Sequence, residues 1–126
     1  MADQQSFNRF PFAFAMSTYM DYEDGDTCNG FGYDPTAAWA DFDYIMECAT
    51  DSAAAATAMS TGSKTDSGAI GLDIDDALLL HAVERAEELG KATGVLTSVQ
   101  LSHATPAGFV AHNVYRGNYA EIANEM

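Results

Sequence analysis

From Asp51 to Ala58 the chain reads Asp-Ser-Ala-Ala-Ala-Ala-Thr-Ala, a hydroxyl directly after a carboxylate and directly before an alanine-rich run. Asp and Ser are favoured helix N-caps and alanine is the best helix former, so a helix starts here. The pattern predicts a helix over 52–61, closed by Gly62 at its C-terminus. A helix N-terminus gathers unpaired N–H groups and the positive end of the helix dipole, which favours anions. Ser52 is therefore placed to meet a phosphate, and Asp51 could bring a divalent cation to the same spot. Capping alone is the plainer use of the pair, and the residues downstream decide between the two.

The remaining elements follow from periodicity. Residues 10–19 alternate aromatics at Phe10, Phe12 and Phe14, a strand pattern behind a proline. Residues 20–38 carry glycines, acids and Pro35 with little period and are expected to form a loop. Trp39, Phe42 and Ile45 fall at helical spacing and predict one short helix leading to the serine. Lys64 to Asp76 is turn-rich. Residues 77–89 predict an amphipathic helix with Leu79, Ala82, Val83 and Ala86 on one face, closed by Gly90. Residues 93–99 are a buried-strand candidate, and 117–126 start a further helix. The helix–Gly–strand order matches one crossover of a parallel sheet flanked by helices, so the expected class is α/β with a partial central parallel-type sheet.

At 126 residues, one domain of this length would bury about two-thirds of its unfolded surface. The 48% hydrophobic content argues against disorder despite a net charge of −14. Between Arg9 and Lys64 there is no basic residue, while acids recur from Asp21 to Asp51. Such a surface repels nucleic acid and anionic membranes, whose binding depends on Lys and Arg. Adaptation to salt explains the excess most simply, with cation attraction second. No run approaches the roughly 18 apolar residues of a membrane span, and no secretory signal is recognisable at the start. Cys28 and Cys48 allow one disulfide and support no redox reading.

Several signatures fail. Gly62-Ser63-Lys64-Thr65 lacks the first glycine of a phosphate-binding P-loop. The acids from Asp21 to Asp34 miss the ligand register of a calcium loop. Ser52 has no Gly-x-Ser-x-Gly setting, and His81, His103 and His112 show no His-Glu-x-x-His spacing. Lys64 and His112 read as structural.

One constellation holds. Asp51-Ser52, then Gly62-x-Lys64-Thr65-x-x-Gly68-Ala69-Ile70-Gly71, then His103-Ala104-Thr105-Pro106, then Arg116 stand in order. Over residues 45–116 this resembles the alkaline phosphatase family, whose members carry linked motifs of these types at these separations. The resemblance implies a piece of the larger alkaline phosphatase fold, with 1–126 an incomplete domain truncated at both ends; a last segment with no C-cap fits that expectation.

The resemblance further implies phosphomonoester hydrolysis through a covalent phosphoserine at two Zn²⁺ ions and one Mg²⁺. Ser52 would be the nucleophile, bound to zinc, with Asp51, His103 and Thr105 as further metal ligands. Zinc lowers the pKa of a bound water by about 8 units, and a serine hydroxyl needs comparable help. Arg116 would grip two phosphate oxygens with its planar fork. Bacterial members often carry aspartate where His103 stands; imidazole suits zinc better than magnesium. A phosphate monoester substrate, a homodimeric parent and a periplasmic or extracellular location are likewise implied. The competing reading is a non-catalytic acidic segment, salt-adapted or weakly cation-binding. A sulfatase or phosphodiesterase of the wider superfamily fits less well, since sulfatases use a different local motif around the nucleophile.

Overall fold

The computed structural model describes Met20, residues 34–47 and residues 49–126. Among these residues six helices follow in order: α1 Pro35–Ala40, α2 Phe42–Glu47, α3 Ser52–Thr61, α4 Ala82–Glu88, α5 Ala104–Ala107 and α6 Tyr119–Glu125. The aromatic strand expected over 10–19, and both cysteines, lie outside the described residues.

Helix α3 forms as its sequence dictates. The Asp51 side chain accepts from the backbone N–H groups of Ala53 and Ala54, and Gly62 closes the last turn in the left-handed region at φ 82°. Its small residues then permit close packing. Ala53, Ala54, Ala56, Thr57 and Ser60 are buried, and the helix packs most extensively on α5. Gly108, which caps α5, comes so near that a Cβ built on it would fall 2.6 Å from the Ala56 Cβ. Ala53, Ile70, Ala104, Ala107, Ala111 and Ile122 form the core cluster.

Polar side chains on α3 tie the following loop to it. Thr57 Oγ1 donates to the Ala69 carbonyl at 3.3 Å and accepts from the Gly71 N–H at 3.0 Å. The Ser60 hydroxyl donates to the Gly108 carbonyl. Both side chains are buried and bonded, so their burial carries no unpaired polar group. The anchored loop meets the residues after α5: Ile70 and Asn113 exchange backbone hydrogen bonds of 2.9 and 2.8 Å, and Arg116 N–H donates to the Gly68 carbonyl at 2.8 Å.

Several expectations are corrected. The helix predicted from Trp39, Phe42 and Ile45 is two helices, because Asp41 ends α1 with extended backbone and its carboxylate accepts from Asp43 N–H at 3.0 Å. The first of them starts inside the supposed loop of 20–38, where Asp34 caps α1 and Pro35 occupies its first turn. Trp39, on α1, is 94% exposed.

Of the helix predicted over 77–89 only Ala82–Glu88 forms. Leu78 bridges to Leu72, and the Leu79 N–H donates to the Gly71 carbonyl at 2.9 Å, so tertiary bonding claims the groups that a helical turn would use. Gly90 does close the helix, at φ 70°.

Residues 93–99 form no strand. Among the described residues nothing pairs with them, and Leu96 is 100% exposed. The expected parallel-type sheet is absent in the described residues, which contain only the isolated antiparallel bridges Ile70–Asn113 and Leu72–Leu78. A ladder needs two partners, and a hydrophobic pattern supplies only one.

Two glycines separate backbone strain from crowding. Gly62→Ala meets no neighbouring atom within 4 Å and should cost about 1 kcal/mol through its positive φ alone. Gly108→Ala should cost about 1–3 kcal/mol by forcing α3 and α5 apart. Urea unfolding of the two variants against the parent measures both.

Candidate active site

Three segments converge on the Asp51 carboxylate. Oδ1 accepts from Ala54 N–H at 3.0 Å and from Gly68 N–H at 3.3 Å; Oδ2 accepts from Ala53 N–H at 3.2 Å and from Arg116 Nη1 at 2.8 Å. Residue 51 thus binds the start of α3, the loop before Ile70 and the segment after α5. Gly68 is the hinge of this arrangement. At φ 89° it donates to Asp51 while its carbonyl receives Arg116 N–H. Its role was not read from sequence, although its place in the glycine run was the available signal.

Burial pushes the Asp51 pKa up, but hydrogen bonds from Ala54 N–H, the Arg116 side chain, Ala53 N–H and Gly68 N–H outweigh it. The carboxyl is held below its ordinary value of 3.8. The Arg116–Asp51 pair is partly buried, with side chains 29% and 20% exposed, so solvent screens it less than a surface pair.

Ser52 is the first residue of α3 and half-buried, beside this pair and at the positive end of the helix. Asp51 takes one arm of the Arg116 guanidinium through Nη1. A planar fork with five N–H donors has others to offer an anion. The arrangement can therefore set a hydroxyl, a guanidinium and a helix N-terminus around a phosphoryl group.

His103 and Thr105 lie on α5, which packs on α3. His103 is the N-cap of α5 and half-buried; its Nδ1 is buried with no hydrogen-bond partner. Thr105 is exposed. Neither side chain bonds to Asp51 or Arg116. For a divalent ion the donor set divides. His103 holds a free buried ring nitrogen, which suits a ligand. The Asp51 carboxylate already has four donors on its roughly four lone-pair sites, so a cation there must displace one. The one described group of three or more His, Cys, Asp and Glu donors within ligand reach is His81, Glu84 and His112. Sequence reading missed it because the third member lies far along the chain from the first two.

The family model for alkaline phosphatase matches residues 4–126, and the chain belongs to that family. Alkaline phosphatase 4 of Bacillus subtilis is 47% identical over 75 residues, which are 60% of this chain and 16% of that protein. The crystal structure of a cold-active alkaline phosphatase from a Shewanella species superposes with a TM-score of 0.60 at 47% identity, covering 60% of this chain and 19% of that one. A histidine-to-aspartate variant of the TAB5 alkaline phosphatase, with Mg bound in its M3 site, gives a TM-score of 0.60 at 44% identity, over 61% of this chain and 22% of that chain. Such relatives define an α/β parent fold. The chain spans only 16% of the length of the Bacillus relative.

A carboxyl with a depressed folded pKa stabilises the fold above its unfolded pKa, and that contribution disappears as pH falls through the folded value. Asp51→Asn should therefore lose on the order of 1–2 kcal/mol at neutral pH. In paired urea melts the gap to the parent should close as pH drops below about 3.8; a gap independent of pH would assign the loss to altered capping geometry.

Proposed function

We propose that this chain supplies the nucleophile and phosphate clamp of a phosphomonoester hydrolase of the alkaline phosphatase type, as the incomplete domain of a longer protein. The ion pair that joins Arg116 to the residue preceding Ser52 is the observation that carries this reading. It holds one arm of the guanidinium at the residue adjacent to the proposed nucleophile, which supports a shared phosphate site.

In this reading the Ser52 oxygen attacks phosphorus at the helix N-terminus while the alcohol leaves, and water then releases phosphate from the phosphoserine. Arg116 grips the non-bridging oxygens, and Asp51 orients it by occupying one arm. Pairing also offsets the negative charge of Asp51, which would otherwise repel a phosphate dianion. Four donors on Asp51 favour this positioning role over direct metal ligation.

Ser52, His103 and Thr105 are the residues left to meet the two Zn²⁺ ions and one Mg²⁺ implied by the resemblance, with other ligands coming from elsewhere in the parent. Bound at the serine, zinc would ease loss of the hydroxyl proton. The unpartnered Nδ1 of His103 supports it as a ligand and favours zinc over magnesium. The TAB5 variant, in which aspartate replaces a histidine and Mg sits in M3, is consistent with that preference. A periplasmic or extracellular setting and a homodimeric parent belong to the same proposal. Among the described residues no helix is long and apolar enough to cross a membrane.

Phosphate release from p-nitrophenyl phosphate by the protein carrying this chain tests the reading. Ser52→Ala should fall to background and lose the phosphoryl mass increment on that residue; unchanged turnover would refute the nucleophile. Arg116→Lys should lower kcat/KM by about 10–100-fold, the worth of one charged hydrogen bond.

A further inference from the structure

A second set of side chains converges away from Ser52, where the start of α4, Gly71, the residues after α5 and the end of α6 meet. His81, the N-cap of α4, is fully buried. Its Nδ1 lies 3.1 Å from Glu84 Oε2, while its Nε2 is buried with no hydrogen-bond partner. The His112 ring lies alongside with centroids 4.4 Å apart, and its Nε2 is 4.0 Å from the same Glu84 oxygen. Each of the three residues offers a donor atom, all within 4.8 Å of one another.

We propose that His81, Glu84 and His112 bind a divalent first-row metal ion, best matched by zinc, at a site separate from the Asp51–Arg116 pair. Two imidazoles and a carboxylate are a zinc donor set that leaves a fourth position open. Bonds of about 2.0–2.1 Å in a tetrahedron put ligand atoms about 3.3 Å apart. The two separations from Glu84 Oε2, 3.1 and 4.0 Å, bracket that value, and all three donor atoms lie within 4.8 Å of one another.

The surroundings fit a ligating role. His112 Nδ1 lies 2.9 Å from Glu125 Oε1, which also accepts the His112 backbone N–H at 2.9 Å. A ligating histidine characteristically gives its other ring N–H to a carboxylate in this way. Its Nε2 faces inward, 2.9 Å from the Leu79 carbonyl, which can accept from a water in the open position once an ion displaces the proton.

Burial first, then the neighbouring His112, push the His81 pKa below its usual value. Gly71 keeps the space clear: a Cβ there would fall 2.6 Å from His81 Nε2 and 2.7 Å from His112 Cδ2. Glu84 and Glu125 also line a neighbouring cleft of about 420 Å³.

Helix capping explains only part of the cluster. Glu84 accepts the His81 backbone N–H at 2.7 Å, as a capping box requires. That leaves the close approach of the two imidazoles and the Glu125–His112 contact without a purpose, and a metal ion accounts for both.

Titration of the full chain with Zn²⁺, followed by calorimetry and by the ring-nitrogen resonances of the histidines, tests the site. A saturable site should appear at which the His81 and His112 resonances move together, apart from any change at His103. His81→Gln and His112→Gln should each weaken binding at least about 10-fold, and Glu125→Gln by about 10-fold as an outer partner. Asp75→Asn, at an exposed acid outside both clusters, should leave the affinity unchanged. No saturable binding at micromolar Zn²⁺, full affinity in both histidine variants, or loss of the site in Asp75→Asn would each overturn the proposal. If His81→Gln does not fold, the half-exposed Glu125→Gln and the resonances of the parent decide. Ser52→Ala does not touch these residues, so this result is independent of the hydrolase reading.

Discussion

One carboxylate organises the described part of this chain. Asp51 uses both oxygens to hold the first N–H groups of α3, the Gly68 N–H and the Arg116 guanidinium. These donors lie 2, 3, 17 and 65 residues along the chain. The long-range contacts cost chain entropy to close, and a charged, partly buried acceptor returns more than a neutral one. Without that acceptor, Ser52 would open an ordinary helix and Arg116 would lose its partner.

Around this centre the core is built from small side chains. Alanines on α3 and α5, with Gly108 between them, let two backbones approach closely, and Thr57 and Ser60 fasten loops to the helix with buried hydroxyls. Ile70 and Ile122 are the largest apolar side chains fully buried among the described residues. Such packing yields little hydrophobic energy per residue, since alanine has little surface to remove from water. Position is held by close approach and hydrogen bonding more than by apolar bulk. Both histidines of the second cluster border the same scaffold through Gly71, so the bound loop after α3 serves two sites at once.

The helical periods that failed did so for a shared reason. Leu79 has the right spacing for an apolar helix face, yet its N–H is taken by Gly71, a bond that no local pattern announces. Residues 93–99 have the composition of a buried strand, yet a strand exists only where another segment pairs with it. The break at Asp41 was more accessible: an Asp followed two residues later by a free N–H is a known local competitor of helix.

Sequence alone determined the start and end of α3, because an acid cap, a run of alanines and a glycine act within a few residues of one another. It also determined the family, through linked motifs whose types and separations survive without any knowledge of contacts. Only the tertiary structure decided that Asp51 and Arg116 meet, that Gly68 joins them, and that His81, Glu84 and His112 share one small volume. Those facts depend on hydrogen bonds and packing between residues far apart in the chain, and a linear pattern carries no distance information about them.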